Sequence, residues 1–182
     1  MKFFIIHGVY GSPKENWFPW LKKELENQGY EAVVPKFPTP IDQSLESWLR
    51  TIKKYEDKIN KETVMIGHSL GAAFILNYLE QTERKIKSAV LVAGFFQLLN
   101  SPYDAINKTF VDKDFNWKKI KENCGKFFVV ASDNDDFISM EISRQLSLNL
   151  NAKLNIINKG GHLNAKAGYK EFPFLIDLVK TI

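Results

Sequence analysis

Residues 63–71 read Thr63-Val64-Met65-Ile66-Gly67-His68-Ser69-Leu70-Gly71, and an apolar stretch follows in which Phe74, Ile75, Tyr78 and Leu79 share one helical face. A short β-branched run, a tight glycine-bounded turn and a helix follow in immediate succession. That is the context a G-x-S-x-G nucleophile elbow requires. The pentapeptide alone arises by chance; the strand before it and the helix after it give it weight. In such a turn Ser69 takes strained dihedrals, and the close packing of strand against helix leaves no room for a Cβ at 67 or 71. The hydroxyl then stands clear of the sheet above a helix N-terminus. The free N–H groups there, that of Leu70 first, can hold developing negative charge.

Outward from this unit the chain alternates between two patterns. Lys2–Ile6, Tyr30–Val34, Thr63–Ile66, Ser88–Val92, Phe127–Ala131 and Lys153–Ile157 are short runs rich in β-branched and aromatic residues. They are almost continuously apolar, as strands of a parallel sheet covered on both faces are. Between them lie helical spacings: Trp17, Trp20, Leu21, Leu25; then Leu45, Trp48, Leu49, Ile52; then Met140–Asn149 and about Pro173–Lys180. The alternation predicts a doubly wound, mainly parallel six-stranded α/β sheet with helices on both faces. Length sets the 182 residues as one domain spanning 1–182, without linker or repeat. Residues 97–121 are the least regular, with Pro102, Asn107 and several charges, and are read as a loop or small lid.

Doubly wound sheets bind ligands beyond the carboxyl ends of their strands, so the residues just after each strand carry the chemistry. A serine hydroxyl needs a base. Of the three histidines, His7, His68 and His162, only His162 lies downstream of Ser69, and it follows the last strand on a loop opened by Gly160-Gly161. The order serine, acid, histidine along the chain makes it the base; His7 and His68 are read as packed structural residues. The acid belongs after the fifth strand, where Asp133, Asp135 and Asp136 stand. Asp135 is the preferred partner for the Nδ1–H of His162; its neighbours also read as turn formers and helix N-terminal charges. After the first strand, His7-Gly8-Val9-Tyr10 offers the Val9 N–H as second oxyanion donor beside that of Leu70. Tyr10, Phe95 and Phe137 are the expected substrate contacts, with Trp17 and Phe96 as further wall candidates. For Trp17 and Trp20, burial between helix and sheet is the simpler role.

Composition narrows the class. Hydrophobic residues at 45% and charged residues at 25% are globular values. No apolar run approaches the roughly 20 residues that span a bilayer, and the apolar start Phe3–Ile6 is too short for a signal peptide. The single cysteine, Cys124, allows no internal disulfide and no cysteine-rich metal site. No metal or other cofactor is expected, and a cytoplasmic location is. The net charge of +4 comes from scattered lysines paired with acids on helix faces, not from a stripe that nucleic acid would need.

These residues resemble the α/β-hydrolase superfamily and, more narrowly, the small serine hydrolases of the retinoblastoma-binding-protein-9 family, YdeN-like in bacteria. The resemblance spans the whole chain. It rests on Ile6-His7-Gly8, Asn16-Trp17-Phe18-Pro19-Trp20-Leu21, Gly67–Gly71, Ser132–Ile138, and Gly161-His162-Leu163-Asn164 followed by Gly168–Pro173. It implies Ser69 as nucleophile, Asp135 as acid and His162 as base, on a compact fold without a large cap. The family often has Pro where Asp136 and Ser139 stand, so a looser acid loop is expected here. No Leu-x-Cys-x-Glu segment occurs, so no retinoblastoma-type protein partner transfers. The expected activity is cleavage of a small ester or amide through an acyl-enzyme. The rival is a hydrolase-fold protein-binding module without catalysis; acyl transfer to an acceptor other than water is a third reading.

Overall fold

The structure is a computed structural model that describes residues Met1–Ile182. It contains β1 (Lys2–Ile6), α1 (Phe18–Asn27), β2 (Glu31–Val33), α2 (Leu45–Lys53), β3 (Thr63–His68), α3 (Leu70–Gln81), β4 (Ile86–Val92), α4 (Asp104–Val111), α5 (Trp117–Glu122), β5 (Cys124–Ser132), α6 (Met140–Leu150), β6 (Lys153–Ile157) and α7 (Pro173–Val179). The six strands pair in the order β2-β1-β3-β4-β5-β6, all parallel. The predicted doubly wound sheet is therefore the observed one. The chain runs outward from β1 in both directions, so the switch point lies between β1 and β3, where crevices form in open sheets.

The period-two pattern of the strands sorts the core. Phe3, Ile5, Val64 and Ile66 face α1 and α7 together with Trp17, Leu21 and Leu175. Phe4, Ile6 and Met65 face the opposite layer with Trp48, Phe74, Phe110, Ile120 and Leu146, from α2 to α6. Every residue of β3 is buried, which is why this segment reads as an unbroken apolar run rather than an alternation.

Two expectations need correcting. Residues 97–121 hold the helices α4 and α5 rather than a loop. Asp104 nucleates the first: its carboxylate accepts from Leu99 N, Ser101 N and Ser101 Oγ and ties off the turn before the helix. The buried Phe110, Val111 and Ile120 then anchor the pair to the core. The fifth strand begins at Cys124, not at Phe127, because Cys124 and Lys126 pair with Ile86 and Ser88 despite the Gly-Lys break in hydropathy.

Candidate active site

Ser69 sits between β3 and α3 with φ 55° and ψ −120°, outside the allowed regions for a residue with a side chain. The turn is held by the Ser69 N–H donating to the Val92 carbonyl at 2.9 Å. The glycine requirement is steric. A Cβ on Gly67 would lie 2.6 Å from the carbonyl carbon and oxygen of Gly71, and one on Gly71 would run into the backbone carbonyl of Ile6. The strained serine persists because packing on both sides of it is fixed. Leu70 opens α3, so its N–H has no helical carbonyl four residues earlier to bind.

His162 and Asp135 meet across 27 residues of chain. His162 Nδ1 donates to Asp135 Oδ2 at 2.8 Å, with Oδ1 at 3.1 Å. The carboxylate is 1% exposed and its Oδ1 also accepts the N–H groups of Phe137 and Ile138, at 2.9 and 3.2 Å. These bonds lock the acid's orientation. With Nδ1 donating to a carboxylate, His162 Nε2 is the nitrogen left to accept. Asp133 and Asp136 are exposed and do not touch the ring. Asp133 holds the Lys159 N–H at 2.7 Å instead. Within the acid loop, where Asp136 and Ser139 stand in place of prolines, Asp135 closes the turn and the Ser139 hydroxyl caps α6 by accepting the Ile142 N–H.

One cavity of about 330 Å³ is lined by both Ser69 and His162. Gly8 and Val9 line it from the loop after β1, with Tyr10, Phe95 and Phe137. Tyr10 and Phe137 are about half exposed at its mouth, and Phe95 is buried at its wall. Edge contacts link the rim: Tyr10 to Tyr103 at 6.2 Å between centroids, Tyr103 to Phe137 at 6.1 Å, and Phe137 to His162 at 4.9 Å. Sequence reasoning missed Tyr103, just before α4, Asn107 one turn on within that helix, and Glu15, Asn16 and Asn164 on the loops. Two wall candidates lie elsewhere. Trp17 is fully buried in the α1 layer, and Phe96 packs against Trp117 at 5.4 Å. The Leu70 side chain also belongs to the core.

The other two histidines serve the scaffold. His7 donates from Nδ1 to the Gly8 carbonyl at 2.9 Å and accepts the Phe37 N–H at Nε2, 3.2 Å away. One donor and one acceptor require a neutral ring, and burial holds its pKa below the usual histidine value. His68 donates from Nε2 to the His162 carbonyl at 2.9 Å. Burial, helped by the neighbouring His162, pushes its pKa down to about 3. Cavity charge is one-sided. No Lys or Arg lines the cavity although the chain has 25 of them, whereas Glu15 does, its carboxyl raised by burial against a backbone hydrogen bond from Ser12. Cys124 is no competing nucleophile: burial pushes its thiol up to about 12. No group of three or more His, Cys, Asp or Glu side chains is placed to hold a metal ion, and no helix is long and apolar enough to cross a membrane.

A six-stranded parallel sheet with helices on both faces and a serine on the turn after its third strand is the α/β-hydrolase arrangement. The chain belongs to the serine hydrolase family, whose model matches residues 3–181, and it is a hydrolase enzyme. It is 33% identical over 180 residues to the hydrolase YdeN of Bacillus subtilis (strain 168), covering 98% of this chain and 94% of that one. The crystal structure of the B. subtilis ydeN gene product superposes with a TM-score of 0.93 at 31% identity, covering 99% and 97% of the two chains. The serine hydrolase RBBP9 of Rattus norvegicus is 28% identical over 167 residues, 91% of this chain and 86% of that one. The ferulic-acid-bound Est1E of Butyrivibrio proteoclasticus shares the fold, with a TM-score of 0.73 at 16% identity over 98% and 89% of the chains.

Proposed function

We propose that this enzyme cleaves small, uncharged carboxylic esters, and the corresponding amides more slowly, through Ser69, His162 and Asp135. The observation that carries the reading is the His162–Asp135 contact of 2.8 Å, made by a buried carboxylate behind a ring that lines the same cavity as Ser69. In this mechanism His162 Nε2 takes the Ser69 proton as Oγ attacks the substrate carbonyl. The N–H groups of Val9 and Leu70 hold the resulting oxyanion, and loss of one such donor typically costs about 10²–10³ in rate. His162 returns the proton to the leaving alcohol, giving an acyl-enzyme. Water, deprotonated by the same nitrogen, then releases the acid and restores Ser69. Asp135 keeps the ring in the required tautomer and stabilises the imidazolium.

Cavity size and charge bear on the substrate. About 330 Å³ is at the small end of ligand pockets, and aromatic walls suit a short apolar acyl or alcohol part. The absence of Lys and Arg from the lining, with Glu15 present, disfavours carboxylate- or phosphate-bearing substrates. The test is a series of p-nitrophenyl esters of increasing acyl length, run with wild type, Ser69→Ala and His162→Ala. The expected result is fastest turnover at short chains, lost in both variants. Turnover that survives in Ser69→Ala contradicts the proposal. A folded wild type that cleaves no ester or amide points to the protein-binding reading instead.

A further inference from the structure

The loop that carries His162 is held almost residue by residue. From the acid side, Asp133 Oδ1 accepts the Lys159 N–H at 2.7 Å, Ser132 Oγ accepts that of Gly160 at 2.8 Å, and Asn134 Oδ1 accepts that of Gly161 at 2.8 Å. From the opposite side, His68 Nε2 donates to the His162 carbonyl at 2.9 Å and Trp17 Nε1 to the Leu163 carbonyl at 2.9 Å, while Asn16 Oδ1 accepts the Ala165 N–H at 2.8 Å. Each of these backbone groups meets a side chain from a distant part of the chain.

We infer that Asn16, Trp17 and His68 are positioning residues for the base: they fix the backbone of residues 162–165 so that the His162 ring stays aligned between Asp135 and the Ser69 side. The inference rests on the triad reading above.

Three features support a positioning role over a packing one. The Asn16-Trp17 pair reaches the loop through polar atoms. Trp17 is wholly buried among Phe18, Phe172 and His68 rings, and its one polar atom ends on the Leu163 carbonyl. The clamped backbone is also strained. Lys159 and Leu163 have φ of 52° and 50°, and a buried leucine does not adopt the left-handed region unless its surroundings impose it. Finally, His68 is a neutral donor across the working pH range, so the bond it makes does not switch as His162 gains and loses a proton. A base held this way enters each proton transfer already oriented, and misplacement by about 1 Å can cost on the order of 10²-fold in rate.

Three substitutions test this. Trp17→Phe removes the indole N–H and keeps an aromatic ring. Asn16 has φ 51°, so Asn16→Gly removes the acceptor without adding backbone strain, while Asn16→Asp keeps both an acceptor oxygen and a residue type tolerant of that conformation. The measurements are kcat and KM on a short p-nitrophenyl ester, titration of active sites by the acyl-enzyme burst, and amide hydrogen exchange over residues 160–165. The expected result for Trp17→Phe and Asn16→Gly is a kcat about ten-fold lower per titrated site, KM within about two-fold of wild type, and faster exchange at Gly161 and Ala165. Asn16→Asp restores slow exchange at Ala165, because a carboxylate oxygen accepts that N–H as the amide oxygen does. The inference is overturned if the loss of activity merely follows the fraction of titratable sites, if Ala165 exchanges as fast in Asn16→Asp as in Asn16→Gly, or if exchange in the loop is unchanged in Trp17→Phe and Asn16→Gly. A wild type in which Ser69 is never acylated defeats the triad reading itself; unaltered loop exchange in the variants, beside a wild type that acylates normally, defeats only the clamp.

Discussion

Acidification will unfold this protein partly through His68. The ring is buried between the serine turn and the His162 loop, and its pKa falls from 6.5 to about 3. In the unfolded chain the same ring protonates at its ordinary value. Below pH 6.5 the unfolded state therefore binds a proton that the native state refuses, and stability falls with pH until about pH 3 is reached. The limiting slope is about 1.4 kcal/mol per pH unit for one such group. Between pH 8 and pH 5 the integrated loss from His68 is about 2 kcal/mol, a large share of the ~5–15 kcal/mol typical of a domain. His7, depressed by burial in the same direction, adds to it. The assay is urea unfolding at pH 8, 6.5 and 5, for wild type and His68→Gln, whose amide can still donate to the His162 carbonyl but cannot titrate. Wild type is expected to lose about 2 kcal/mol or more over this range, and His68→Gln distinctly less. A wild-type stability that is flat from pH 8 to pH 5, or a variant with the same slope, would show that His68 does not carry the pH dependence.

Other consequences follow from the same contacts. Asp135→Asn leaves the turn to Phe137 and Ile138 able to form but presents the wrong partner to Nδ1, so kcat is expected to drop by about 10⁴ with the fold retained, read by steady-state kinetics beside circular dichroism. Gly71→Ala drives a methyl into the Ile6 carbonyl; a destabilisation of about 1–3 kcal/mol or more is expected from denaturant midpoints, and a loss below 0.5 kcal/mol would show that the elbow has slack. A p-nitrophenyl ester with a free carboxylate on its acyl part is expected to have kcat/KM about ten-fold or more below a neutral ester of equal length, since the lining has no Lys or Arg to pair with a carboxylate taken out of water.

What could be read from the sequence depended on how local the signal was. The strands next to the site announce themselves as unbroken apolar runs because both faces of a parallel sheet are covered; the G-x-S-x-G turn between strand and helix pointed to Ser69, and chain order with strand-end placement to His162. Asp135 needed one more step, the choice among three neighbouring carboxylates, and the structure gives the local reason that it is the one at the ring: its Oδ1 also closes the turn onto Phe137 and Ile138. The α4 segment stayed hidden because Pro102 and the polar run around Asn107 mask a weak pattern, with Ile106 and Phe110 one turn apart. Glu15, Asn16, Tyr103 and Asn107 could not be found from spacing, since they reach the cavity only when distant loops converge. Trp17 was legible as buried, but not its indole N–H on the base loop.

The most direct measurement of the central claim is the rate at which a fluorophosphonate probe labels the native protein, with the modified residue located by peptide mass analysis. Rapid modification of Ser69 is expected, with none in Ser69→Ala and a rate at least about 10³-fold slower in His162→Ala. Modification at another residue, or labelling of Ser69 at an undiminished rate without the imidazole, would contradict it.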